Sequence, residues 1–361
     1  MAHWTQQSEE ADLRRICDDE PTSLSTQISG PRQLDIEGAI ELLSDTTYHS
    51  PAKGKQIEGV LSLHVDDSFM CGTAAFTRLV IDKLRKTFQV SEESKDKMMF
   101  VGQLIEWVDK SKPTGYIKVS QDIRIEELEA MVFDRTQKDE EKVTEQQHTQ
   151  YRSVLGQINW LQSRTQFQSC YEFSRCAASA AAPTIGDCRK LNRLVKRIRD
   201  GVSNMGNAHL RFWKLKGPLR LLGYPDASFQ NNKDKSSQRG QTIWLAEQRK
   251  QGETAGRGSL IDYESTKIKK VVQSTTSAEL YALMRCYGTS LFLKGLWLDM
   301  SGQLAEIHLR TDANNLVTTA QTTRQPEQKE TTHLINSLRH EALSLIHISE
   351  PTRRYAISYA V

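Results

Sequence analysis

The sequence lacks the features that would quickly assign it to a secreted, membrane or repeat class. Its 361 residues contain six cysteines and no CxxC pair, which excludes the common zinc spacings and favours a reducing environment. No apolar run reaches the roughly 20 residues that span a membrane. The N-terminal residues have no apolar segment typical of a signal peptide, and we find no internal repeat. The sequence therefore predicts an intracellular, cytoplasmic protein without a membrane partner.

An excess of one charge sign is also missing, because the net charge is only +3. The charges are nevertheless unevenly distributed. Residues 1–50 carry ten acids against three arginines, whereas residues 187–220 carry ten bases against two acids. So dense a basic stretch suits a phosphate backbone, and an ordinary solvated helix face explains it equally well.

Two aromatic residues lie inside this basic stretch. Phe212 and Trp213 adjoin Arg211, Lys214 and Lys216. Such aromatic rings can stack on bases or sugars beside phosphate contacts. Packing in a core or at a strand edge is the more common fate of such residues.

The first half of the chain alternates short strands and helices. Residues 59–72 predict a β-hairpin with Asp66 and Asp67 at its tip. Apolar spacing predicts the following elements in order: a helix at 74–88, strands at 98–108 and 115–119, a loop or linker at 133–150, and helices at 151–161, 171–182 and 191–198.

From about residue 208 the pattern changes to strands followed by a long helix. Strands followed by helices and a further strand are typical of a mixed α/β layer fold, which is the fold class we predict. The predicted strands cover 219–224, 242–246, 259–263 and 306–310, and the predicted helices cover 277–298 and 331–345.

Three acids in this half are candidate metal ligands: Asp226 and Asp312 each follow a strand, and Glu279 lies in the first turn of a predicted helix. Such strand ends are where α/β folds place ligands. Three carboxylates suit Mg²⁺ or Mn²⁺, and two such ions about 4 Å apart can activate a water against a phosphodiester. For each acid alone, a turn, cap or dipole role is the more common explanation. Only their joint order and setting favour a metal site.

The segments around these acids resemble the RNase H domain of copia-type LTR retrotransposons, whose Pol polyprotein ends in reverse transcriptase followed by RNase H. The segments are GYPDASF at 223–229, STTSAELYAL at 274–283 and TDANNLV at 311–317. The resemblance implies that Asp226, Glu279 and Asp312 are three of the family's four metal-binding acids. It further implies Mg²⁺- or Mn²⁺-dependent endonucleolytic cleavage of the RNA strand of an RNA–DNA hybrid. The resemblance also implies two further possible locations for the protein, a virus-like particle and the nucleus.

The predicted hairpin fits the same family. LHVDD at 63–67 resembles the double-Asp motif of the reverse-transcriptase palm, which implies a catalytic, metal-binding role for Asp66 and Asp67. FVG at 100–102 and YRSVLG at 151–156 resemble later segments of that enzyme. The other palm Asp is not found upstream, so polymerase activity by this chain alone is not expected. Nucleic acid and other parts of a Pol polyprotein are the implied partners.

The resemblance implies a modular chain that is truncated at both ends. The motif of the fourth RNase H acid is missing, and residues 343–354 resemble a translated sequencing adapter. The alternative function is therefore a catalytically inactive nucleic-acid-binding fragment, or a decayed element without activity. The expected divisions are an acidic, poorly assigned segment at 1–57, a partial palm at 58–145, a helical connection at 146–207, an incomplete RNase H-like domain at 208–343 and an artefactual tail at 344–361.

Overall fold

The chain divides into two units, of which the first covers residues 1–110 and 293–305, and the second covers 111–292 and 306–361. No helix within the described residues is long and apolar enough to cross a bilayer. The structure is a computed structural model that describes residues 22–28, 58–64, 67–88, 90–134, 136–204, 209–248, 256–322, 331–342 and 346–349.

The first unit contains a four-stranded antiparallel sheet in the order β2-β3-β1-β4. The predicted hairpin is confirmed, with His64 opposite Asp67. The edge strand β4 and the strand β1, which lies between β3 and β4, were not predicted, because Ser, Thr and charged residues obscure any alternation in them. The four strands are β1 (Thr22–Ile28), β2 (Gly59–His64), β3 (Asp67–Gly72) and β4 (Val90–Lys95).

Helix α1 (Ala74–Thr87) confirms the helix predicted at 74–88. Thr73 caps it, since the Thr73 hydroxyl accepts a hydrogen bond of 3.2 Å from the backbone N–H of Phe76. Phe76, Val80 and Leu84 recur at four-residue spacing and are buried with Met70 of β3. This small apolar cluster holds the helix against the sheet.

A second hairpin of the first unit consists of β5 (Lys97–Phe100) and β6 (Gln103–Val108). The sequence predicted one strand from 98 to 108, and this prediction was wrong. Val101 and Gly102 both have positive φ, 48° and 67°. Two such residues form the turn that matches strand twist in a two-residue hairpin, so the chain reverses there.

Helices of the second unit pack around an apolar core that includes Tyr151, Ile158 and Leu191. The loop predicted at 133–150 ends early, because α3 begins at Glu145 rather than near 151. Thr144 and Gln147 form a reciprocal capping box that fixes this start. The helices are α2 (Asp122–Glu126), α3 (Glu145–Gln162), α4 (Cys170–Ala177) and α5 (Ile185–Asn204).

Two strands of the second unit, β7 (Tyr116–Ser120) and β8 (His209–Trp213), form an antiparallel ribbon. β7 confirms the strand predicted at 115–119. β8 was not predicted, since its five residues mix charged and aromatic side chains.

A five-stranded mixed sheet in the order β11-β10-β9-β12-β13 dominates the second unit. β9, β10 and β11 are antiparallel, whereas β12 pairs with β9, and β13 with β12, in parallel. The α/β fold class is therefore confirmed. The elements are β9 (Leu219–Ser228), β10 (Gln238–Glu247), β11 (Gly258–Lys267), α6 (Thr275–Ser301), β12 (Glu306–Arg310), α7 (Asn314–Gln321), α8 (Thr332–Ala342) and β13 (Ile346–Ser349).

Candidate metal centre

The parallel strands β9 and β12 bring Asp226 and Asp312 to one edge of the mixed sheet. In this pairing Leu309 lies opposite Gly223. Asp226 and Asp312 each come three residues after that pair. Both residues therefore lie at the same level along the sheet, on neighbouring chain segments.

Helix α6 supplies the third carboxylate. The Ser274 hydroxyl accepts a hydrogen bond of 3.2 Å from the N–H of Ser277, and its carbonyl accepts one of 3.1 Å from the N–H of Ala278. This cap starts the helix at Thr275, two residues before the predicted start. Glu279 is consequently in the second helical turn, not in the first turn that the sequence suggested.

Small residues let α6 lie close to β9. Ala278, Ala282 and Cys286 are buried at four-residue spacing on one face of the helix. A Cβ added at Gly223 would come within 2.6 Å of both the Cys286 sulfur and a Leu309 methyl group. The absent side chain at Gly223 thus permits the approach that carries Glu279 to the aspartates.

The three predicted acids converge. One carboxylate oxygen from each of Asp226, Glu279 and Asp312 lies within 4.8 Å of the others. The backbone N–H of Ala227 donates to Glu279 Oε1 at 3.3 Å. The second oxygen, Oε2, is buried and has no hydrogen-bond partner among the described residues, while Asp226 and Asp312 are exposed.

Burial and mutual repulsion raise the pKa values of two of these carboxyls. Burial, followed by the charges of Asp226 and Asp312, raises the pKa of Glu279 to about 7. Although Asp226 is exposed as a residue, partial burial of its carboxyl group and the charge of Asp312 raise its pKa, against a weaker opposing hydrogen bond from Ala227. Carboxylates held this close disfavour ionisation unless a cation neutralises them.

The cluster fits a hard divalent cation. Its ligand atoms are all carboxylate oxygens, which Mg²⁺ and Mn²⁺ prefer. The buried, unpartnered Oε2 of Glu279 is the kind of atom that costs stability unless a partner satisfies it. Asp226 and Asp312 leave the cluster open on the solvent side, where a phosphate oxygen can reach it.

Asp67 is not part of this cluster. Asp67 is the first residue of β3 in the other unit, and Asp66 lies outside the described residues. Among the residues that the structure describes, no other group of three His, Cys, Asp or Glu side chains converges as a metal site would require. The catalytic and metal-binding role of Asp66 and Asp67 stays a prediction.

Most bases of the predicted basic helix are engaged inside the chain. On α5, Arg189 pairs with Asp139, and the Arg197 guanidinium contacts Glu172, with Nη2 2.7 Å from Oε2. Lys190 and Lys196 pair with the Asp187 and Asp200 carboxylates of the same helix. The charge density of residues 187–204 thus reflects internal ion pairs more than an open phosphate-binding face.

No protein family matches the sequence, and no curated protein does. The chain is similar to a solved structure of LC11-RNase H1, isolated from compost by a metagenomic approach and bound to an RNA/DNA hybrid. That match has 15% identity and a TM-score of 0.27, and it covers 38% of this chain and 91% of that one. RNase H1 from the halophilic archaeon Halobacterium salinarum NRC-1 matches at 13% identity and a TM-score of 0.26, over 38% of this chain and 93% of that chain.

A longer match is to the foamy viral protease-reverse transcriptase in complex with RNA/DNA hybrid. It covers 94% of this chain at 12% identity, with a TM-score of 0.46. This chain spans 45% of the foamy viral chain. Likenesses at such low identity do not specify a reaction for this protein.

Proposed function

We propose that the chain is a reverse transcriptase–RNase H fragment of a copia-type Pol polyprotein, and that its C-terminal domain cleaves the RNA strand of RNA–DNA hybrids. The observation that carries the proposal is the convergence of Asp226, Glu279 and Asp312 around a buried, unpartnered carboxylate oxygen. Polymerase activity of this chain alone is not part of the proposal. Asp66 and Asp67 are assigned to a palm site that this chain does not complete.

In the proposed reaction, the chain binds and orients the charged groups. Asp226, Glu279 and Asp312 would hold Mg²⁺ or Mn²⁺, which when bound supplies a Lewis acid that activates water and stabilises the leaving oxygen of a phosphodiester. Glu279 is fixed by the Ala227 N–H and by its burial in α6. The exposed Asp226 and Asp312 face the side from which a nucleic-acid backbone approaches. RNase H-like recognition of backbone and 2′-hydroxyls requires little base specificity.

Cleavage of a labelled RNA–DNA hybrid with Mg²⁺ or Mn²⁺ tests the proposal. Asp226→Asn preserves the shape of the side chain but removes one charged ligand, so we expect its RNA cleavage to fall at least roughly 100-fold. Asp234→Asn is the matched control, because Asp234 is an exposed acid on the β9–β10 connection that pairs with Lys267. It should retain activity. Equal activity of the Asp226→Asn and unaltered proteins would refute the proposed site.

The second candidate is a nucleic-acid-binding fragment without catalysis. Within the described residues only three carboxylates converge, whereas the resembling family uses four acids. Hybrid binding without any cleavage, from folded protein at saturating Mg²⁺ and Mn²⁺, would favour this candidate.

A further inference from the structure

The β7–β8 ribbon separates polar and apolar side chains onto opposite faces. Tyr116 lies opposite Trp213, and Lys118 lies opposite Arg211. Because side chains alternate along a strand, these four residues share one face. Ile117, Val119, Leu210 and Phe212 occupy the other face.

The polar face carries a stacked row of aromatic and cationic groups. The Tyr116 and Trp213 ring centroids are 4.9 Å apart, tilted by 51°. The Arg211 guanidinium lies 5.6 Å from the Tyr116 ring centroid, and that of Arg257 lies 5.9 Å from the Trp213 ring centroid. We call the face formed by Tyr116, Lys118, Arg211, Trp213 and Arg257 the ribbon face.

Within the part of the chain that the structure describes, both arginines donate hydrogen bonds to neutral acceptors. Arg211 Nε donates to His209 Nε2 at 2.9 Å, and Arg257 Nη1 donates to the Pro113 carbonyl at 2.6 Å. Burial, with the Arg211 and Lys118 charges, lowers the pKa of His209 against an opposing effect of the Asp122 charge. The Lys118 ammonium is 3.4 Å from Asp122. Among the described residues of this face, three cations are therefore matched by one carboxylate.

We propose that the ribbon face binds the sugar-phosphate backbone of a nucleic acid, with Arg211 and Arg257 on phosphates and the Tyr116–Trp213 pair against a sugar or base. The proposal deepens the proposed nuclease function and rests on it for the identity of the ligand, an RNA–DNA hybrid. Arginine forks suit phosphate, and aromatic rings tolerate any base. Contact of this kind adds affinity without sequence specificity.

The ribbon face lies well away from the acids within the second unit. The backbone N–H of Trp213 donates to Ser259 Oγ at 2.9 Å, at the start of β11. Ser265, six residues further along β11, is level with Gly240 and hence with Asp226. At about 3.3 Å per strand residue this is roughly 20 Å, or about six base pairs at 3.4 Å each. Only a hybrid longer than this reaches both places.

The test measures the affinity of a 24-base-pair hybrid for the full chain carrying Asp226→Asn, in EDTA, by fluorescence anisotropy. Added Arg211→Gln and Arg257→Gln should weaken binding roughly tenfold near 0.1 M salt. They should also lower the slope of log affinity against log salt by about 2, since each phosphate contact contributes about 0.9.

Arg189→Gln with Arg197→Gln is the matched control, because these arginines are already paired with Asp139 and Glu172. It should leave the salt slope unchanged. The single variant Arg211→Gln keeps the Arg257–Pro113 contact and guards against misfolding of the double variant. It should lower the salt slope by about 1. An unchanged slope in folded ribbon variants, or an equal loss in the control, would overturn the proposal and leave the ribbon face to a protein partner.

This binding measurement and the RNA cleavage assay together separate the two proposals. Hybrid binding through the ribbon face by a chain that never cuts RNA would refute the nuclease and retain the binding surface. RNA cleavage by a chain whose hybrid affinity does not depend on Arg211 and Arg257 would retain the nuclease and refute the binding surface.

Discussion

Glu279 is the residue on which the candidate site depends most. The residue is 7% exposed, and the carboxylates of two aspartates converge on it. Such an arrangement costs stability in the absence of a cation, because repulsion and burial both oppose ionisation. Carboxyls whose pKa values are raised by neighbouring acids are typical of a functional ligand set, whereas a structural ion pair would contain a basic partner.

This cost should appear as a pH dependence of stability in EDTA. The folded state raises the pKa of Glu279 from 4.5 to about 7, so the folded state holds its proton more tightly than the unfolded chain. The stability that this proton contributes is fully present below pH 4.5 and is lost as pH rises through 7. We expect the free energy of unfolding to fall by about 2 kcal/mol between pH 5 and 8.

Asp226→Asn supplies the internal check on that prediction. It removes a neighbouring negative charge, so the fall in stability with pH should become shallower, whereas Asp234→Asn should leave it unchanged. Urea titrations at several pH values measure the slope. At pH 8, Mg²⁺ should raise the melting temperature of the unaltered protein more than that of Asp226→Asn. Identical pH profiles of both proteins would contradict our account of the acid cluster.

At the scale of elements, the contact of α6 with β9 positions Glu279. Gly223→Ala places a methyl group 2.6 Å from Cys286 Sγ and from a Leu309 methyl carbon. We expect a loss of about 1–3 kcal/mol, because a packed core has no space for the added atom. RNA cleavage should fall as well, since α6 must move outward and carry Glu279 with it.

Gly156→Ala is the matched control for that change. Gly156 is an exposed residue of α3, and an added Cβ there meets nothing within 4 Å. It should stabilise the protein by about 1 kcal/mol through its better helix propensity. Urea unfolding of both variants measures the difference. An equal response at the two positions would show that α6 does not need the missing side chain at Gly223.

The sequence predicted the elements with strong apolar periodicity and missed those without it. Helix α1 and the β2–β3 hairpin match closely because their buried faces are regular. Strands β1, β4 and β8 are short and polar, and β-strand preference depends on neighbouring strands that a single sequence does not reveal. The early start of α3 was missed because the capping residues Thr144 and Gln147 were overlooked.

The candidate site also has features that the sequence predicted and features that it did not. The joint order and setting of Asp226, Glu279 and Asp312 predicted a metal site, the family resemblance supported it, and the structure brings all three together. Their convergence could not be calculated from the sequence, because it depends on the parallel register of β9 with β12 and on the approach of α6 at Gly223. The roles of Gly223 and of the Ser274 cap had no separate signal, although both lie within the matched segments.

At the scale of the whole molecule, one buried carboxylate joins the helical part of the second unit to its mixed sheet. Asp187 of α5 is 2.8 Å from the Lys233 ammonium on the β9–β10 connection and 2.9 Å from Lys190. Burial opposes its ionisation, but hydrogen bonds from both lysines outweigh it and lower the pKa to about 2. Its stabilising effect is therefore present above pH 3.8 and is lost only as pH falls through 2.

Asp187→Asn should weaken this connection. We expect a stability loss of about 1–2 kcal/mol, constant between pH 5 and 8, and faster amide exchange in residues 230–236 than elsewhere in the sheet. Asp200→Asn, which removes only an exposed pair with Lys196, should cost less than about 0.5 kcal/mol. Hydrogen exchange read by mass spectrometry distinguishes the two. Exchange that is unchanged near Lys233 would exclude Asp187 as the joining residue.

The parallel pairing of β9 with β12 also sets when the acid cluster can exist during synthesis. Asp226 leaves the ribosome 86 residues before Asp312, an interval of roughly 4–17 s at 5–20 residues per second. Until β12 emerges and pairs with β9, Asp226 lacks the neighbouring carboxylate of Asp312. During that interval a ribosome-bound chain is without a complete set of acids, and the cluster forms only after β12 has emerged.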